Sequence, residues 1–234
     1  MPAAREDDDV PDRRDVVRDS LGVGLATGLY GASFGALGVA SGLSVLQTCA
    51  MSVLIFTGAS QFAFVGVLAS GGAPLSGALT ALLLGSRNTL YGLRLAPLLA
   101  LSRWRRLASA HLVIDESTAM AVTRPTTALA RTGFYWTGLS IFALWNLFTF
   151  LGAVAGSTMG DPRVYGLDAA VGAAFLALLW PRLHERRSFA VGGLAAMVAL
   201  LLVPVTAAGV PVLAAGGVAL LAGVLPRSRD GGAS

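Results

Sequence analysis

Long apolar segments separated by short polar ones make up most of the chain. No charged residue occurs in 20–86 or in 132–160, and a helix of about 20 residues already crosses a hydrocarbon core of about 30 Å. The segment 74–101 exceeds that thickness, so we expect it to tilt or to break near Gly85 and Ser86. The hydropathy pattern predicts apolar helical segments over 20–40, 43–69, 74–101, 134–157, 166–180, 188–207 and 210–225.

The composition is typical of a chain embedded in lipid. Of 234 residues, 55% are hydrophobic and 13% charged, against about 25% charged in an average soluble domain, and the mean hydropathy is +0.70. We therefore predict an all-α integral membrane protein of the cell membrane, with about 7–8 transmembrane helices. The predicted organisation is a polar cytoplasmic tail over 1–19, a transmembrane domain over 20–225 and a cytoplasmic tail over 226–234.

The segment 107–123 decides the predicted topology. If it crosses the bilayer, both termini are cytoplasmic, eleven arginines lie inside and four outside, as the positive-inside rule favours. Residues 102–106 would then face outward, opposite Arg124 and Arg131. We predict this crossing topology, and a re-entrant or interfacial loop over the same residues stays open as the alternative.

Two pairs of segments echo each other and predict an internal repeat. FGALGVASGL (34–43) resembles FLGAVAGSTM (150–159), and GASQFAFVGVL (58–68) resembles GAAFLALLW (172–180). Membrane proteins are often built from two repeats whose broken helices meet near the bilayer midplane. Such matches also arise by chance in sequence rich in Gly and Ala. An internal repeat and chance similarity therefore both remain open as interpretations.

The charged residues exclude several classes of protein. All 17 basic residues are arginine, and their short clusters are typical of loops at an anionic leaflet rather than of a nucleic-acid surface. Cys49 is the single cysteine, which excludes an internal disulfide and a cysteine metal site. With His111 and His184 as the two histidines, the chain offers little for a membrane-embedded hydrolase. We expect neither an enzyme nor a bound cofactor or metal.

Two polar stripes in the apolar segments form the first candidate site. A charge at the bilayer centre costs about 2.5–3.5 kcal/mol on insertion scales, so it normally faces protein or water and has a partner. The first stripe recurs at i, i+3, i+4 and i+7 and consists of Thr57, Ser60, Gln61 and Phe64. The second recurs at i, i+4 and i+7 and consists of Arg87, Tyr91 and Arg94. The residues of each stripe therefore share one helical face. The predicted binding residues are Ser60, Gln61, Arg87, Asn88 and Tyr91.

Structural roles remain open for the same residues. Arg87 could pair with Asp115 or with a carbonyl oxygen, because buried charges pair whether or not they do chemistry. Arg94 could reach the membrane interface by snorkelling. Ser60 and Gln61 could instead form hydrogen bonds between helices.

Two adjacent acids form the second candidate site. Asp115 and Glu116 lie in a short apolar segment, where unpaired acids are costly. On a helix, His111, Asp115 and Thr118 would share a face at i, i+4 and i+7 and could form a path for protons. The alternative is a re-entrant or interfacial loop whose acids face the arginines at 103–106.

Four motifs, taken in order, resemble those of a known family. SQF (60–62), SRNTLYG (86–92), HLVIDESTA (111–119) and GLDAAVGAAFLALLWP (166–181) occur in the order, and at about the spacing, of the AzlC-type branched-chain amino acid permeases. The resemblance covers roughly residues 20–225. One position departs from the pattern, because the family usually has Arg-His where this chain has Arg87 followed by Asn88.

The resemblance implies a permease that exports branched-chain and similar apolar amino acids of the L-valine type, together with a small, separately encoded AzlD-type membrane partner. Family members are often described as ATP-driven, but this chain contains no GxxxxGK[ST] phosphate loop, so we predict secondary transport. His111, Asp115 and Glu116 are the hypothesised coupling residues. A non-catalytic membrane assembly subunit, or a permease for another small amphipathic solute, remains the alternative.

Overall fold

The computed structural model describes residues 12–158, 186–206 and 209–224, together with Leu176, Trp180 and Leu183, and these form helices and turns without a strand. The all-α class is thereby confirmed for the described residues. The predicted segment 166–180 lies almost wholly outside them, as do 1–11 and 225–234. The helices are α1 (Arg13–Ala40), α2 (Val45–Leu54), α3 (Gly58–Ala69), α4 (Pro74–Gly85), α5 (Arg87–Leu99), α6 (Arg103–Ser109), α7 (Asp115–Val122), α8 (Thr127–Thr158), α9 (Arg186–Leu202) and α10 (Val210–Val224), with a 3₁₀ turn at Ala110–Leu112.

The helices α1 and α8 pack side by side and run in the same direction. Gly24 faces Ser140, and eleven residues later on α1 Gly35 faces Thr149, so positions advance together on both helices. A Cβ at Gly35 would collide with the Thr149 carbonyl oxygen, which shows that the two backbones touch. Small residues permit this approach, and close packing is what holds helices together in lipid. At 28 and 32 residues, α1 and α8 are also the two described helices long and apolar enough to cross a membrane alone.

A capping box starts α2 and fixes its first turn. Ser44 Oγ accepts from the Gln47 N–H at 3.1 Å, and Gln47 Oε1 accepts from the Ser44 N–H at 2.8 Å. From there α2 runs back along α8, where Ser52 Oγ lies 3.3 Å from Thr149 Oγ1. Gln47 therefore belongs to the cap of α2.

The predicted segment 43–69 is two helices joined by a sharp bend at 55–57. At the bend Phe56 packs on Phe142 of α8, with 5.1 Å between ring centroids. Just over one turn into α3, Phe62 packs on Phe34 at 5.7 Å, and Phe34 lies beside the contact of Gly35 with Thr149. Because that contact is two turns farther along α8 than Phe142, α3 heads back toward the end from which α2 came.

The helices α3 and α4 lie antiparallel, and α5 continues α4 after a kink. Gly77 contacts Phe64, and Gly85 lies next to Ser60. Ser86, between α4 and α5, keeps helical angles with φ −57° and ψ −28°. The predicted interruption at Gly85 and Ser86 is therefore present as a kink, not as a separation of the two helices.

The end of α5 lies beside the first turns of α8. Arg131 Nε donates to the Leu99 carbonyl oxygen at 2.7 Å, and Arg131 Nη2 donates to the Ala100 carbonyl oxygen at 3.0 Å. Ala100 adopts left-handed angles, with φ 44° and ψ 48°, where α5 stops. The kinked pair α4 and α5 thus brings the chain to the N-terminal end of α8.

Residues 101–123 leave this end of α8 and return to it. The 3₁₀ turn is the farthest point, where Leu112 contacts Gly138. From there α7 runs antiparallel to α8, and Met120 contacts Gly133. The segment enters and leaves the helix bundle at one end, as a re-entrant loop does.

The prediction that 107–123 crosses the membrane as one helix is therefore wrong. Val113 and Ile114 are extended, with ψ 94° and 173°, and they divide the segment into helices of seven and eight residues. Each half is far too short for a crossing of about 20 residues. The placement of 102–106 on the side opposite Arg131 is wrong for the same reason, since α6 starts beside the turn that Arg131 holds.

The last two described helices form a hairpin against α4. Gly209 contacts Ser76 and Gly216 contacts Leu83, so α10 runs parallel to α4. Arg187, at the start of α9, donates to a carbonyl oxygen in the last turn of α10 at 2.5 Å. The predicted segments 188–207 and 210–225 correspond to α9 and α10 within a few residues.

Two predicted helix starts differ from the structure, and the predicted internal repeat stays a prediction. α1 and α8 each begin seven residues before the predicted apolar segment, because polar turns prolong both helices beyond their apolar part. The first echo, 34–43 with 150–159, falls on the C-terminal parts of α1 and α8 and the residues that follow them. The second, with 172–180, lies mostly outside the described residues, so the repeat stays a prediction.

Candidate functional site

One carboxylate joins the first turns of α5 and α7. Asp115, the first residue of α7, accepts from Arg87 Nη2 through Oδ2 at 2.5 Å and from the Tyr91 hydroxyl through Oδ1 at 2.6 Å. The side chains of Arg87 and Asp115 are 29% and 26% exposed, so water screens the pair only in part. The spacing of Arg87 and Tyr91 by one turn is what lets both reach the same carboxylate.

The position of the carboxylate adds to its stabilisation. Asp115 and Glu116 lie in the first turn of α7, where the helix dipole favours negative charge. The pairing of Arg87 with Asp115, one of the alternatives raised by the sequence, is thus present. Glu116 is partly buried beside it, and its coupling role stays a prediction.

Gln61 bonds to the protein with both ends of its amide. The side chain is fully buried, Nε2 donates to the Ile55 carbonyl oxygen at 2.6 Å, and Oε1 accepts from the Trp145 indole N–H at 3.0 Å. Ser60 is also buried, next to Gly85, and its Oγ has no hydrogen-bond partner among the described residues. Gln61 thus links the bend between α2 and α3 to α8. This is the hydrogen bond between helices that the sequence analysis gave as the alternative role of Gln61.

The predicted common face of His111, Asp115 and Thr118 is wrong. His111 belongs to the 3₁₀ turn and Asp115 to α7, and the extended residues 113–114 between them end the helical register. His111 Nε2 instead lies 2.9 Å from the Val53 carbonyl oxygen, at the end of α2. The histidine therefore joins the tip of the re-entrant loop to α2.

A cavity of about 630 Å³ lies between α5, the end of α2, α6 and the 3₁₀ turn. Of the predicted binding residues, Asn88 alone contributes to its described lining; Ser60, Gln61, Arg87 and Tyr91 do not. Asn88 Oδ1 is buried without a hydrogen-bond partner among the described residues. The structure therefore separates the binding residues predicted from the sequence into the network around Asp115, the buried pair on α3, and Asn88 at the cavity.

Apart from Asn88, the side of α5 that faces the cavity was not predicted from the sequence. Five of the seven α5 residues that line the cavity recur at i, i+4, i+7, i+8 and i+11, which is one helical face flanked by Thr89 and Leu93: Asn88, Gly92, Leu95, Ala96 and Leu99. The spacing was readable in the sequence, but an asparagine and a glycine among apolar residues give a weaker signal than arginines. Arg94, on the other stripe, is exposed.

Metal chemistry has little support in the described part of the chain. No group of three or more His, Cys, Asp or Glu side chains lies close enough there to hold an ion. Cys49 is a free cysteine, partly buried in α2. His184, the second histidine of the sequence, lies outside the described residues.

The chain is similar in sequence to several membrane proteins over most of its length. The chain is 30% identical to the inner membrane protein YgaZ of Escherichia coli over 86% of this chain and 84% of that protein. An uncharacterized membrane protein of Archaeoglobus fulgidus is 34% identical over 76% of this chain and 80% of its own length. One from Helicobacter pylori is 25% identical over 70% and 73%.

No solved structure matches the chain. The relatives are named as membrane proteins, which agrees with a bilayer environment for the apolar helices. The model of the AzlC protein family matches residues 22–159, more than half of the sequence and all of the helices from α2 to α8. The chain belongs to the AzlC protein family.

Proposed function

We propose that this protein exports branched-chain and other apolar amino acids by secondary transport, together with a small AzlD-type membrane subunit. The observation that carries the proposal is the network of Arg87, Tyr91 and Asp115, which joins α5 to α7 next to the cavity that Asn88 lines. Charged groups among lipid-embedded helices are costly and mark solute or proton pathways. Family membership and the membrane-protein relatives support a transport role.

The network offers a means of coupling transport to a proton. With Asp115 ionised, both oxygens are bonded and α5 is tied to α7. A proton on Asp115 removes the charge that holds Arg87 and weakens that tie. In this proposal Asp115 takes up the proton, the neighbouring Glu116 lies on its route, and Arg87 changes partner when the proton arrives.

Asparagine and glutamine substitutions test the proposal, because they imitate the neutral acids at the same size. In vesicles containing the purified protein and its partner subunit, we expect Asp115→Asn to lose gradient-driven efflux of L-valine and to retain counterflow. Glu116→Gln should shift in the same direction. Arg94→Ala, which changes an exposed arginine on the same helix, should leave both measurements near wild type.

Protein amount separates coupling from a structural role. If Asp115 only braces the fold, Asp115→Asn strands Arg87 and lowers the protein level along with all transport, and Arg87→Gln in the same chain should then restore the level. Equal loss of efflux and counterflow at normal protein amounts would mark a substrate-binding acid. Unchanged driven efflux in both acid variants would remove α7 from the mechanism.

A further inference from the structure

We propose that the groove between the start of α1 and Trp136 of α8 binds an anionic phospholipid, with its phosphate at Arg13 and Arg14 and an acyl chain along Leu21 and Trp136. The inference concerns lipid rather than the transported solute and needs only the bilayer environment of the apolar helices. It therefore holds or fails independently of the proposed function.

The groove carries net positive charge. It is open, has a volume of about 620 Å³ and lies where the first turns of α1 run beside α8. This volume is within the range of about 300–1,000 Å³ that is usual for ligand sites. Three arginines, Arg13, Arg14 and Arg18, line it together with one acid, Asp12. Basic pockets between membrane helices are typical binding sites for anionic lipid head groups.

The apolar part of the groove continues along both helices. Val17 and Leu21 line it on α1 and Trp136 lines it on α8. Leu25, one turn beyond Leu21 on the same side of α1, is about half exposed, as is Leu139, one turn beyond Trp136. An acyl chain can therefore lie along the two helices below the charged end of the groove.

Trp136 indicates the depth of the groove in the membrane, because tryptophan prefers the level of the lipid head groups. The helices α1 and α8 run parallel with Gly24 facing Ser140, so Trp136 lies one turn nearer to the start of both helices than this contact. Arg13 and Arg14 lie about two turns farther toward the start of α1. They are thus on the water side of Trp136, at the level that a lipid phosphate reaches.

Arg13 and Arg14 form no ion pair with another described residue, whereas Arg18 lies 3.3 Å from Asp15. Both are in the first turn of α1, where the helix dipole disfavours positive charge. The N-cap residue Asp12 makes no side-chain hydrogen bond to this turn. A phosphate group would supply the negative charge and the acceptor oxygens that guanidinium groups pair with best.

Quenching of tryptophan fluorescence measures lipid at this groove. The purified full-length chain is placed in vesicles of phosphatidylcholine with increasing fractions of phosphatidylglycerol, and either lipid carries bromine on its acyl chains as a contact quencher. The contribution of Trp136 is the part of the quenching that disappears in Trp136→Phe, measured in every variant background. The tryptophans elsewhere in the chain cancel in this difference.

We expect brominated phosphatidylglycerol to reach half of its maximal quenching of Trp136 at a lipid fraction at least about threefold lower than brominated phosphatidylcholine, since arginines near the membrane surface favour anionic lipid. The double variant Arg13→Gln and Arg14→Gln should lose this preference. It removes cations from the start of a helix, where they are unfavourable, so it should not destabilise the fold.

The matched control is the double variant Arg103→Gln and Arg105→Gln. It removes the same charge from α6, which starts at the same end of the helix bundle, beside the turn that Arg131 holds. This variant should keep the preference for phosphatidylglycerol at Trp136. Quenching by brominated phosphatidylcholine should be the same in all variants.

The remaining outcomes overturn the lipid site. Equal loss of the preference in both double variants would assign it to the general surface potential. A wild-type chain without any preference would show that no anionic lipid binds, including the case in which the acidic residues 6–9 neutralise the groove instead. Relief of the quenching by soluble glycerol 3-phosphate, which has the phosphate but no acyl chain, would assign the groove to a soluble anion.

Discussion

At the scale of single residues, the buried amide of Gln61 is bonded within the protein at both ends. The sequence offered Gln61 as a substrate-binding residue, yet its amide is bonded to the Ile55 carbonyl oxygen and to the Trp145 indole. Its neighbour Ser60 faces Gly85 at the end of α4. Within the polar stripe of α3, Gln61 thus holds the bend between α2 and α3 in place.

We therefore predict that Gln61→Leu acts on stability. The change leaves the buried Trp145 N–H unbonded, which costs about 1–3 kcal/mol, and it removes one of the two N–H donors to the Ile55 carbonyl oxygen. Gln47→Leu removes an exposed cap of α2 and is the matched control, expected to lower the melting temperature in detergent much less. A Gln61→Leu protein with normal melting temperature and lost transport would instead assign Gln61 to the substrate.

At the scale of helices, small residues decide how closely α1 and α8 approach. Gly35 lies against the backbone at Thr149, and Gly152 lies against the backbone at Ala32. Both contacts bring backbone to backbone, which a side chain at either glycine would prevent. The centre of the fold is therefore a parallel pair of helices in direct contact.

Gly35→Ala should consequently force the two helices apart. The added methyl group meets the Thr149 carbonyl oxygen and the Ala153 amide, neither of which can move alone, and overpacking of this kind costs about 1–3 kcal/mol or more. Gly22→Ala has free space and should be neutral or stabilising, because alanine favours a helix by about 1 kcal/mol over glycine. Equal melting temperatures for the two variants would contradict the parallel contact.

At the scale of the whole molecule, the fold gathers arginines at one end. The start of α1, α6 and the start of α8 all lie there, since Arg131 holds the end of α5 and α7 returns beside Gly133. The arginines at this end are Arg13, Arg14, Arg18, Arg103, Arg105, Arg106, Arg124 and Arg131. By the positive-inside rule this end is expected to be cytoplasmic.

Labelling of single cysteines tests this orientation. In a chain with Cys49→Ala, Ser102→Cys and Ser188→Cys should react with an impermeant maleimide from the cytoplasmic side. The helix α6 begins at the arginine-rich end, and α9 begins beside the last turn of α10, which runs toward that end parallel to α4. Ser70→Cys, in the turn between α3 and α4, should react from outside. Labelling of Ser102→Cys and Ser188→Cys from opposite sides would restore the crossing of 107–123.

The fold class and the apolar segments could be predicted from the sequence because they follow from hydropathy and length. The path of the segments could not, because a bend at 55–57 or 113–114 depends on which carbonyl groups find partners elsewhere. At the bend over 55–57, the Gln61 amide donates to the Ile55 carbonyl oxygen. At the bend over 113–114, the Ser117 hydroxyl accepts from the Ile114 N–H and contacts the Leu112 and Ile114 carbonyl oxygens. Hydropathy is the same for a helix that crosses and for one that turns back.

The candidate site divides in the same way. The sequence by itself determined that Arg87, Tyr91 and Asp115 must find partners, because charge in an apolar segment is costly wherever it lies. Only the tertiary structure decided that they bond to one another, that His111 turns to α2, and that Asn88 is left facing a cavity. Residue type sets the need for a partner, whereas the packing of helices distant in sequence sets which partner is within reach.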